Sequence, residues 1–412
     1  MSADRALLAQ RHALLAMVSA TVAPDAAALA RFGPEDWQAI ATMAGQHRLG
    51  ALLHDLIRQR GATWPVPADV RERWKAQHLR GAMRAMSLQL ALRRMAGVLV
   101  AHDLPFAVLK GGWLAWHAYP SPAHRPMRDI DLLVRTEDAI AAFAALEAAG
   151  FTRRADDVTP LDHALVHAKH LPPLFAPDKR VAVELHTRII HDVPAGDLTG
   201  SIGDSAALLA RTVPRDLGGF VVPTLSPTDT LLHLIVHAAY DHRFDNGPLV
   251  LNDIAAIVRT CPVDWDQFAA MAKAGGWQRG SQLLLQMTQR YHGPLAIPDT
   301  LGLAAPLDDA VLDSAALLML VDTRSAADTH FRAGLSSQAH TGKLLQFLRE
   351  RAFPKRHVLA RFAGLPLESR RVWLHYPAWL LTRSRQRLLS VGGPGQQADQ
   401  RHLLAVEGWL QA

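Results

Sequence analysis

The hydrophobic pattern changes period twice along the chain. In residues 1–103 apolar positions recur every three to four residues, as between Leu88 and Leu99, which predicts amphipathic helices. Residues 104–192 contain short apolar runs and alternating segments instead, which are typical of strands. Beyond Ser226 the helical period returns. The pattern therefore predicts an α+β fold, with a small mixed β-sheet core flanked by N-terminal and C-terminal helical regions.

These changes of period also predict the domain organisation. We expect an N-terminal helical region (1–103), an α/β core (104–192), a helical domain that packs on the core (193–300) and a basic C-terminal helical region (301–412). The length of 412 residues is enough for two or three domains of ordinary size. The sequence contains no internal repeat and no low-complexity segment that would indicate a solenoid or a disordered linker.

The segment that begins at Phe106 contains a candidate phosphate-binding turn. Its apolar start predicts a short buried strand, which ends at Lys110, Gly111 and Gly112 and leads into about two turns of helix. Glycine lets the backbone approach a phosphate closely because no Cβ intervenes, and a helix N-terminus favours anions. The Lys-Gly-Gly turn is therefore predicted to hold phosphate.

Acidic side chains follow on two alternating strands. Asp129 and Asp131 share one face of the next predicted strand because side chains alternate in strands. Two carboxylates on the same strand face repel each other unless a cation lies between them. Glu184 and His186 share a face of a later strand, and Glu184 is the candidate third carboxylate. Such a set predicts Mg²⁺-assisted phosphoryl or nucleotidyl transfer. His186 would either position substrate or relay a proton near the metals, or else hold Glu184 by a hydrogen bond.

The order of these motifs resembles the polymerase-β-type nucleotidyltransferase superfamily, which has a Gly-Gly or Gly-Ser turn, an Asp-x-Asp strand and a distal carboxylate. The segments LKGG, RPMRDIDLLV, VELH, LLHLIVHA and LNDIAAIV are similar to those of a family of uncharacterised nucleotidyltransferases, some of which are encoded in lasso-peptide or polysaccharide gene clusters. This resemblance covers roughly residues 100–290. It implies that the mixed sheet is a nucleotidyltransferase core. One departure is Gly112, which stands where the wider superfamily commonly has serine.

The resemblance also implies roles for individual residues. The metal would be Mg²⁺, expected as two ions, with Mn²⁺ as an alternative, and the donor would be an NTP, with ATP expected. The catalytic and metal-binding residues would be Asp129, Asp131 and Glu184, and the nucleotide-binding residues would be Lys110, Gly111, Gly112, Arg125 and Arg128. The acceptor is an unidentified small molecule, peptide or protein.

A histidine stripe lies on the helix predicted to begin after Ser226. His233, His237 and Asp241 recur at steps of four and share one face. We interpret this face as packed on the core and hydrogen-bonded to a neighbour such as Asp253, with a metal site as the alternative. By the resemblance, His237 and Asp253 are candidates for contact with the substrate.

Composition limits the cellular setting. A single cysteine, Cys261, excludes a disulfide within the chain and a metal site built from several cysteines, which fits a reducing compartment. No signal-peptide pattern and no apolar run of about 18 residues occurs, so we expect a cytoplasmic protein without a membrane span.

Positive charge is concentrated near the C-terminus. Between His340 and Ser390 eleven lysine and arginine residues stand against two acids, an excess of nine, whereas the whole chain has a net charge of +6. Such a region suits an anionic partner, namely a nucleic acid, an acidic peptide or a membrane surface, or is a solvated helical face. Trp373, Tyr376 and Trp379 alternate there with arginines. We interpret these aromatic residues as core packing, with a membrane or partner contact as the alternative.

The sequence therefore favours one function and leaves two alternatives. The leading hypothesis is an Mg²⁺-dependent nucleotidyltransferase that transfers NMP from an NTP and releases pyrophosphate. The first alternative is a catalytically lapsed binding or scaffold protein that keeps the fold. The second is a metal-dependent hydrolase built on His233, His237 and Asp241, which is the weakest because helical spacing alone supports it.

Overall fold

The computed structural model describes residues 3–19, 21–60, 64–155, 157, 159–190, 201–299, 302, 306–323, 329–330, 333, 353–354, 356–389 and 396–411. The helices up to residue 318 are α1 (Ala3–Met17), α2 (Ala26–Leu29), α3 (Pro34–Gln46), α4 (Gly50–Arg60), α5 (Ala68–Ala101), α6 (Gly111–His117), α7 (Ala139–Ala148), α8 (Leu161–His167), α9 (Ser205–Ala210), α10 (Pro227–Val236), α11 (Leu249–Thr260), α12 (Trp265–Ala274), α13 (Gln278–His292) and α14 (Asp309–Leu318). They are followed by the helices Arg356–Ala363, Tyr376–Leu389 and Gln396–Gln411. The strands are β1 (Phe106–Val108), β2 (Asp129–Val134), β3 (Thr152–Arg153), β4 (Leu174–Phe175), β5 (Ala182–His186), β6 (Val213–Asp216) and β7 (Val221–Thr224).

One mixed sheet of seven strands forms the centre of the described structure, in the order β3-β4-β5-β2-β1-β7-β6. The central strand β2 is antiparallel to β1 and parallel to β5. Apart from Asp129, every residue of β2 is buried, and α5, α6 and α9 pack against it. The predicted α+β class, a mixed sheet with flanking helices, is confirmed.

Most predicted elements near the sheet are present with small shifts. The sequence predicts a strand from Leu171 to Phe175, a turn at 177–179 and a strand from Arg180 to Leu185, which are confirmed as β4 and β5 in antiparallel pairing. The predicted N-cap of α10 is also confirmed, because the Ser226 hydroxyl accepts a hydrogen bond from the amide of Asp229. The sequence also predicts a helix from Glu137 to Ala149 with Thr136 as its N-cap, and this N-cap is wrong. Helix α7 begins at Ala139 after Asp138, whose carboxylate binds the Arg135 guanidinium instead.

Helix α5 joins the helical N-terminal region to the sheet. It runs for 34 residues, and Arg84 in its middle donates hydrogen bonds to three backbone carbonyls. These carbonyls belong to Met127 and Arg128, just before β2, and to Arg180, just before β5. One side chain therefore fixes the starts of both strands that carry the candidate carboxylates.

Residues after α14 form two distinct parts. The helix Gln396–Gln411 packs on α14, and its Asp399 forms a buried ion pair with Arg11 of α1. The segment 356–389, called the C-terminal arm below, has a small hydrophobic cluster of its own around Val372 and Trp379. The predicted core packing of its aromatic residues is right for Trp379 and wrong for Trp373, of which 51% is exposed.

The four predicted domains remain a prediction. The main hydrophobic cluster contains residues from all four, from Leu14 in α1 to Val406 in the last helix. The sequence also predicts a helix from Thr341 to Phe353, but this segment lies almost wholly outside the described residues. Within the part of the chain that the structure describes, no helix is both long and apolar enough to cross a membrane.

Candidate active site

The parallel pairing of β2 and β5 brings two acidic residues side by side. Asp131 lies directly opposite Glu184, and Asp129 lies opposite Ala182 at the beginning of both strands. All three carboxylates line one cavity of about 560 Å³, which Gly111 and Gly112 also line. The structure therefore brings together the three carboxylates and the glycine turn that the sequence analysis singled out.

His186 links the two facing carboxylates. Its Nε2 atom lies 2.9 Å from Oδ1 of Asp131 and 3.4 Å from Oε2 of Glu184, and its side chain is almost fully buried. Ligand atoms of Asp131, Glu184 and His186 all lie within 4.8 Å of one another. Among the described residues, this is the one group of three such side chains that could hold a metal ion.

Lys110 places a positive charge against the same carboxylates. Its Nζ lies 3.3 Å from Oδ2 of Asp131, and the backbone of Lys110 has a φ of +45°, which L-residues rarely adopt. Although burial by itself would raise it, Lys110 and His186 hold the pKa of Asp131 well below its usual range. Asp131 is therefore an ionised carboxylate with two cationic or hydrogen-bonding neighbours.

Asp129 has the opposite electrostatic environment. Burial, together with the neighbouring charges of Asp131 and Glu184, raises its pKa to about 6. Burial also acts to raise the pKa of Glu184, but the hydrogen bond from His186 and the nearby His170 lower it. For His186 burial acts to lower the pKa, and the bonds to the two carboxylates raise it. Among the three carboxylates, Asp129 is thus the one whose negative charge its surroundings disfavour.

The glycine turn is shaped by packing. A Cβ on Gly112 would lie 2.6 Å from Cγ1 of Val108, so even a serine cannot fit there without a shift of the Val108 side chain or of the backbone. A Cβ on Gly111 would lie 2.8 Å from the sulfur of Met127. The amide of Gly112 donates to the carbonyl of Leu109. Close contact with β1 therefore accounts for the glycine where the wider superfamily commonly has serine.

The two predicted arginines have different surroundings. Arg125 binds Asp253, with Nε 2.9 Å from both carboxylate oxygens and Nη2 2.8 Å from Oδ2, and Tyr119 donates a hydrogen bond to the same carboxylate. This network joins the loop before β2 to α11. Arg128 is exposed at the edge of the cavity. The Arg125 guanidinium is thus bound to protein, whereas that of Arg128 faces solvent.

The histidine stripe does not contact Asp253 as we expected. His237 lines the cavity and contacts Asp241, with 3.4 Å between Nδ1 and Oδ2, because Asp253 is already bound by Arg125. Burial, followed by the charge of Lys110, lowers the pKa of His237 to about 3, so the ring is neutral. His233 is buried, and neither ring nitrogen has a hydrogen-bond partner in the described structure.

Sequence reasoning missed two residues of this cavity. His170 lies with Nε2 3.6 Å from Oε2 of Glu184, and Lys169 forms an ion pair with Asp241 at 3.1 Å. Both precede β4, and His170 forms an isolated bridge with His186. The strand predicted from the sequence begins at Leu171, one residue after His170, so His170 was left out of the pairing with β5. No local pattern in the sequence pointed to Lys169.

A comparison with protein-family models gives a match for this chain. A family model described as "Uncharacterised nucleotidyltransferase" matches residues 33–293, which is more than half of the chain. The matched range begins directly before α3, ends directly after α13 and includes every cavity residue discussed above. A comparison with curated proteins gives no match.

Proposed function

The chain belongs to the uncharacterised nucleotidyltransferase family, and on that premise we propose that it transfers NMP from an NTP, with ATP as the expected donor, to an acceptor. The observation that carries the proposal is the pairing of Asp131 with Glu184 across β2 and β5, in a cavity that also contains Asp129 and the Lys-Gly-Gly turn. The proposed products are the nucleotidylated acceptor and pyrophosphate.

The donor atoms in the cavity fit a hard divalent cation. Carboxylate oxygens are the ligands that Mg²⁺ and Mn²⁺ prefer, and the raised pKa of Asp129 marks negative charge that the protein does not neutralise. We propose that Asp129, Asp131 and Glu184 hold Mg²⁺, as two ions, with Mn²⁺ as the alternative, while His186 orients two of the carboxylates. When bound, such cations neutralise charge on phosphate oxygens.

The remaining chemistry follows from the position of the protein groups. The nucleophilic oxygen or nitrogen of the acceptor attacks the α-phosphorus, the bond from the α-phosphorus to the bridging oxygen breaks, and pyrophosphate leaves with that oxygen. Glu184, which its lowered pKa keeps ionised at neutral pH, would take the proton of the acceptor. Lys110 and Arg128 would offset the charge of the phosphates, and Gly111 would offer its backbone. Arg125 would position the loop before β2 through Asp253.

The nature of the acceptor is a separate part of the proposal. Small molecules, peptides and proteins all present hydroxyl or amino groups that could accept the NMP group. A link to lasso-peptide biosynthesis rests on the sequence resemblance. The basic residues after His340 would bind an anionic partner by charge complementarity. His237, neutral and on the cavity wall, would contact the substrate as a hydrogen-bonding group.

The alternative functions find less support. A lapsed binding protein has no need for two carboxylates that raise the pKa of a third, and Asp129, Asp131 and Glu184 are all present. A hydrolase built on the histidine stripe would need His233 as a ligand. That residue is fully buried and is not a member of the group of described side chains that could hold metal.

Two measurements on the purified protein test the proposed function. Adding an NTP together with Mg²⁺ should raise the melting temperature, because a ligand that binds only the folded state stabilises it by mass action. Incubation with α-labelled NTPs and a cell extract should then give a labelled product. Glu184→Gln should abolish labelling, whereas Asp162→Asn, at an exposed acid in α8, should not change it.

The outcomes separate the two leading functions. Labelled product that depends on Glu184 supports the transferase. Stabilisation by NTP without any labelled product supports the lapsed binding protein. If neither Mg²⁺ nor Mn²⁺ with any NTP shifts the melting temperature, the cavity is not a nucleotide site.

A further inference from the structure

The C-terminal arm presents large apolar side chains to solvent. Within it, Val372 and Trp379 are buried in the arm's own cluster and Tyr376 packs against that cluster, whereas other large apolar side chains of the arm are exposed. The exposed ones are Phe362 (42% exposed), Trp373 (51%), Leu374 (76%), Leu380 (39%) and Leu381 (71%). A patch of this kind on a soluble surface marks a contact with a partner or a membrane.

Positive charge accompanies this apolar surface. Residues 356–389 contain one acid, Glu368, and seven arginines. The exposed arginines with described side chains are Arg356, Arg361, Arg370, Arg371, Arg383 and Arg385. None of them forms an ion pair with an acid within the described part of the chain, although Arg356 binds the carbonyl of Ser369. The arm thus presents apolar and cationic groups on one unit of about 34 residues.

We propose that the C-terminal arm binds the surface of a membrane that contains anionic lipids. Arginine side chains are attracted to anionic headgroups. The free energy falls when tryptophan and leucine side chains enter the boundary between headgroups and acyl chains. The exposed aliphatic residues favour a membrane over a nucleic acid as the partner of the arm. Leu374 and Leu381 cannot stack on bases as aromatic residues do, and they are the two most exposed apolar residues of the arm.

The geometry of the arm suits contact in the plane of the interface. Trp373 and Leu374 lie in the 3₁₀ turn Arg370–His375, directly before the helix Tyr376–Leu389, and Leu381 follows two helical turns later. Trp379, between them, is turned inward. An amphipathic helix that lies on a bilayer needs such an outward apolar face with basic residues beside it. This inference goes beyond the proposed nucleotidyl transfer and does not depend on it.

Sedimentation with lipid vesicles tests the proposal directly. The full chain should bind vesicles of phosphatidylcholine mixed with phosphatidylserine, and should bind vesicles of phosphatidylcholine alone much less. Replacing Trp373, Leu374 and Leu381 with serine, which we call the apolar variant, should weaken binding by about tenfold or more at unchanged charge. Replacing Arg383 and Arg385 with glutamine, the arginine variant, should weaken it and reduce its dependence on salt.

A matched control comes from α5. Met83 and Met86 are 62% and 71% exposed on another element of the chain, so Met83→Ser with Met86→Ser removes a similar amount of exposed apolar surface. This control variant should bind vesicles as the unchanged protein does. The substituted residues of all three variants are exposed, so each variant should keep its melting temperature and its response to NTP.

The outcomes of the vesicle-binding experiments support or overturn the proposal as follows. Loss of vesicle binding in the apolar variant, with the control unaffected, supports the proposal. Absence of binding to phosphatidylserine vesicles overturns it, and so does equal binding by the apolar variant. If the apolar variant binds a single-stranded oligonucleotide normally while the arginine variant does not, and vesicles are not bound, the arm is a nucleic-acid surface and the proposal is wrong.

Discussion

At the scale of single residues, the neighbours of a carboxylate decide whether its charge stabilises the fold. Asp131 faces Lys110 and His186, whereas Asp129 faces two other carboxylates and has its pKa raised to about 6. The two aspartates are separated by one residue on the same strand. Their substitution by asparagine should therefore change stability in opposite directions.

We predict that Asp129→Asn raises the free energy of unfolding of the metal-free protein by about 2 kcal/mol at pH 7. The substitution removes a buried negative charge that lies beside two other carboxylates, and a shift of one pKa unit corresponds to about 1.4 kcal/mol. The folded form keeps the Asp129 proton to a higher pH than the unfolded chain. The penalty in the unchanged protein is therefore full above about pH 6 and disappears as the pH falls toward 4. Urea denaturation of both proteins at several pH values measures this pH-dependent penalty.

The companion substitution gives the contrast. Asp131→Asn should lower the free energy of unfolding by about 2 kcal/mol at pH 7, since Lys110 and His186 lose their anion. Both variants should lose the stabilisation by NTP and Mg²⁺. Equal effects of the two substitutions on the metal-free protein would contradict the described charge environment.

At the scale of elements, close packing holds the turn between β1 and α6, where the backbone of Gly112 lies against the side chain of Val108. We predict that Gly112→Ala lowers the free energy of unfolding by about 2 kcal/mol, because the new Cβ would lie 2.6 Å from Val108. The penalty should shrink in a Val108→Ala background, where the space is open. Urea denaturation of the two single variants and the double variant measures this coupling.

A second glycine provides the control for that prediction. A Cβ on Gly97 in α5 would meet nothing within 4 Å, so Gly97→Ala should stabilise the protein by about 0.5–1 kcal/mol through helix propensity. A Gly112→Ala variant as stable as the unchanged protein would show that β1 and α6 are not in contact as described.

At the scale of the whole molecule, the two ends of the chain are joined. Arg11 of α1 and Asp399 of the last helix form an ion pair in which the side chains are 4% and 5% exposed. We predict that Asp399→Asn lowers the free energy of unfolding by about 3 kcal/mol, because it leaves a buried guanidinium without its anion. The effect should appear in one cooperative transition of the main body, measured by thermal or urea denaturation.

An exposed pair on the same helix gives the comparison. Glu407 contacts Arg243 at 3.1 Å, and Arg243 is 49% exposed, so Glu407→Gln should change stability by less than about 1 kcal/mol. Replacing both buried partners, as in Arg11→Met with Asp399→Leu, should recover much of the loss. A small effect of Asp399→Asn would mean that the last helix detaches without unfolding the body.

The sequence by itself determined the local features of this protein. Alternation placed Asp129 and Asp131 on one strand face, and the same rule put Glu184 and His186 together, because side-chain direction in a strand depends only on position along the chain. The N-cap at Ser226 and the turn before β5 were also readable, since both depend on neighbouring residues.

Tertiary structure alone decided which distant groups meet. Arg125 and Asp253 are 128 residues apart, His170 approaches Glu184 through a strand bridge, and Asp399 reaches Arg11 across almost the whole chain. Local periodicity carries no information on such partners. The burial that raises the pKa of Asp129, and the strand side chain that excludes a Cβ at position 112, exist only once helices and sheet have packed together.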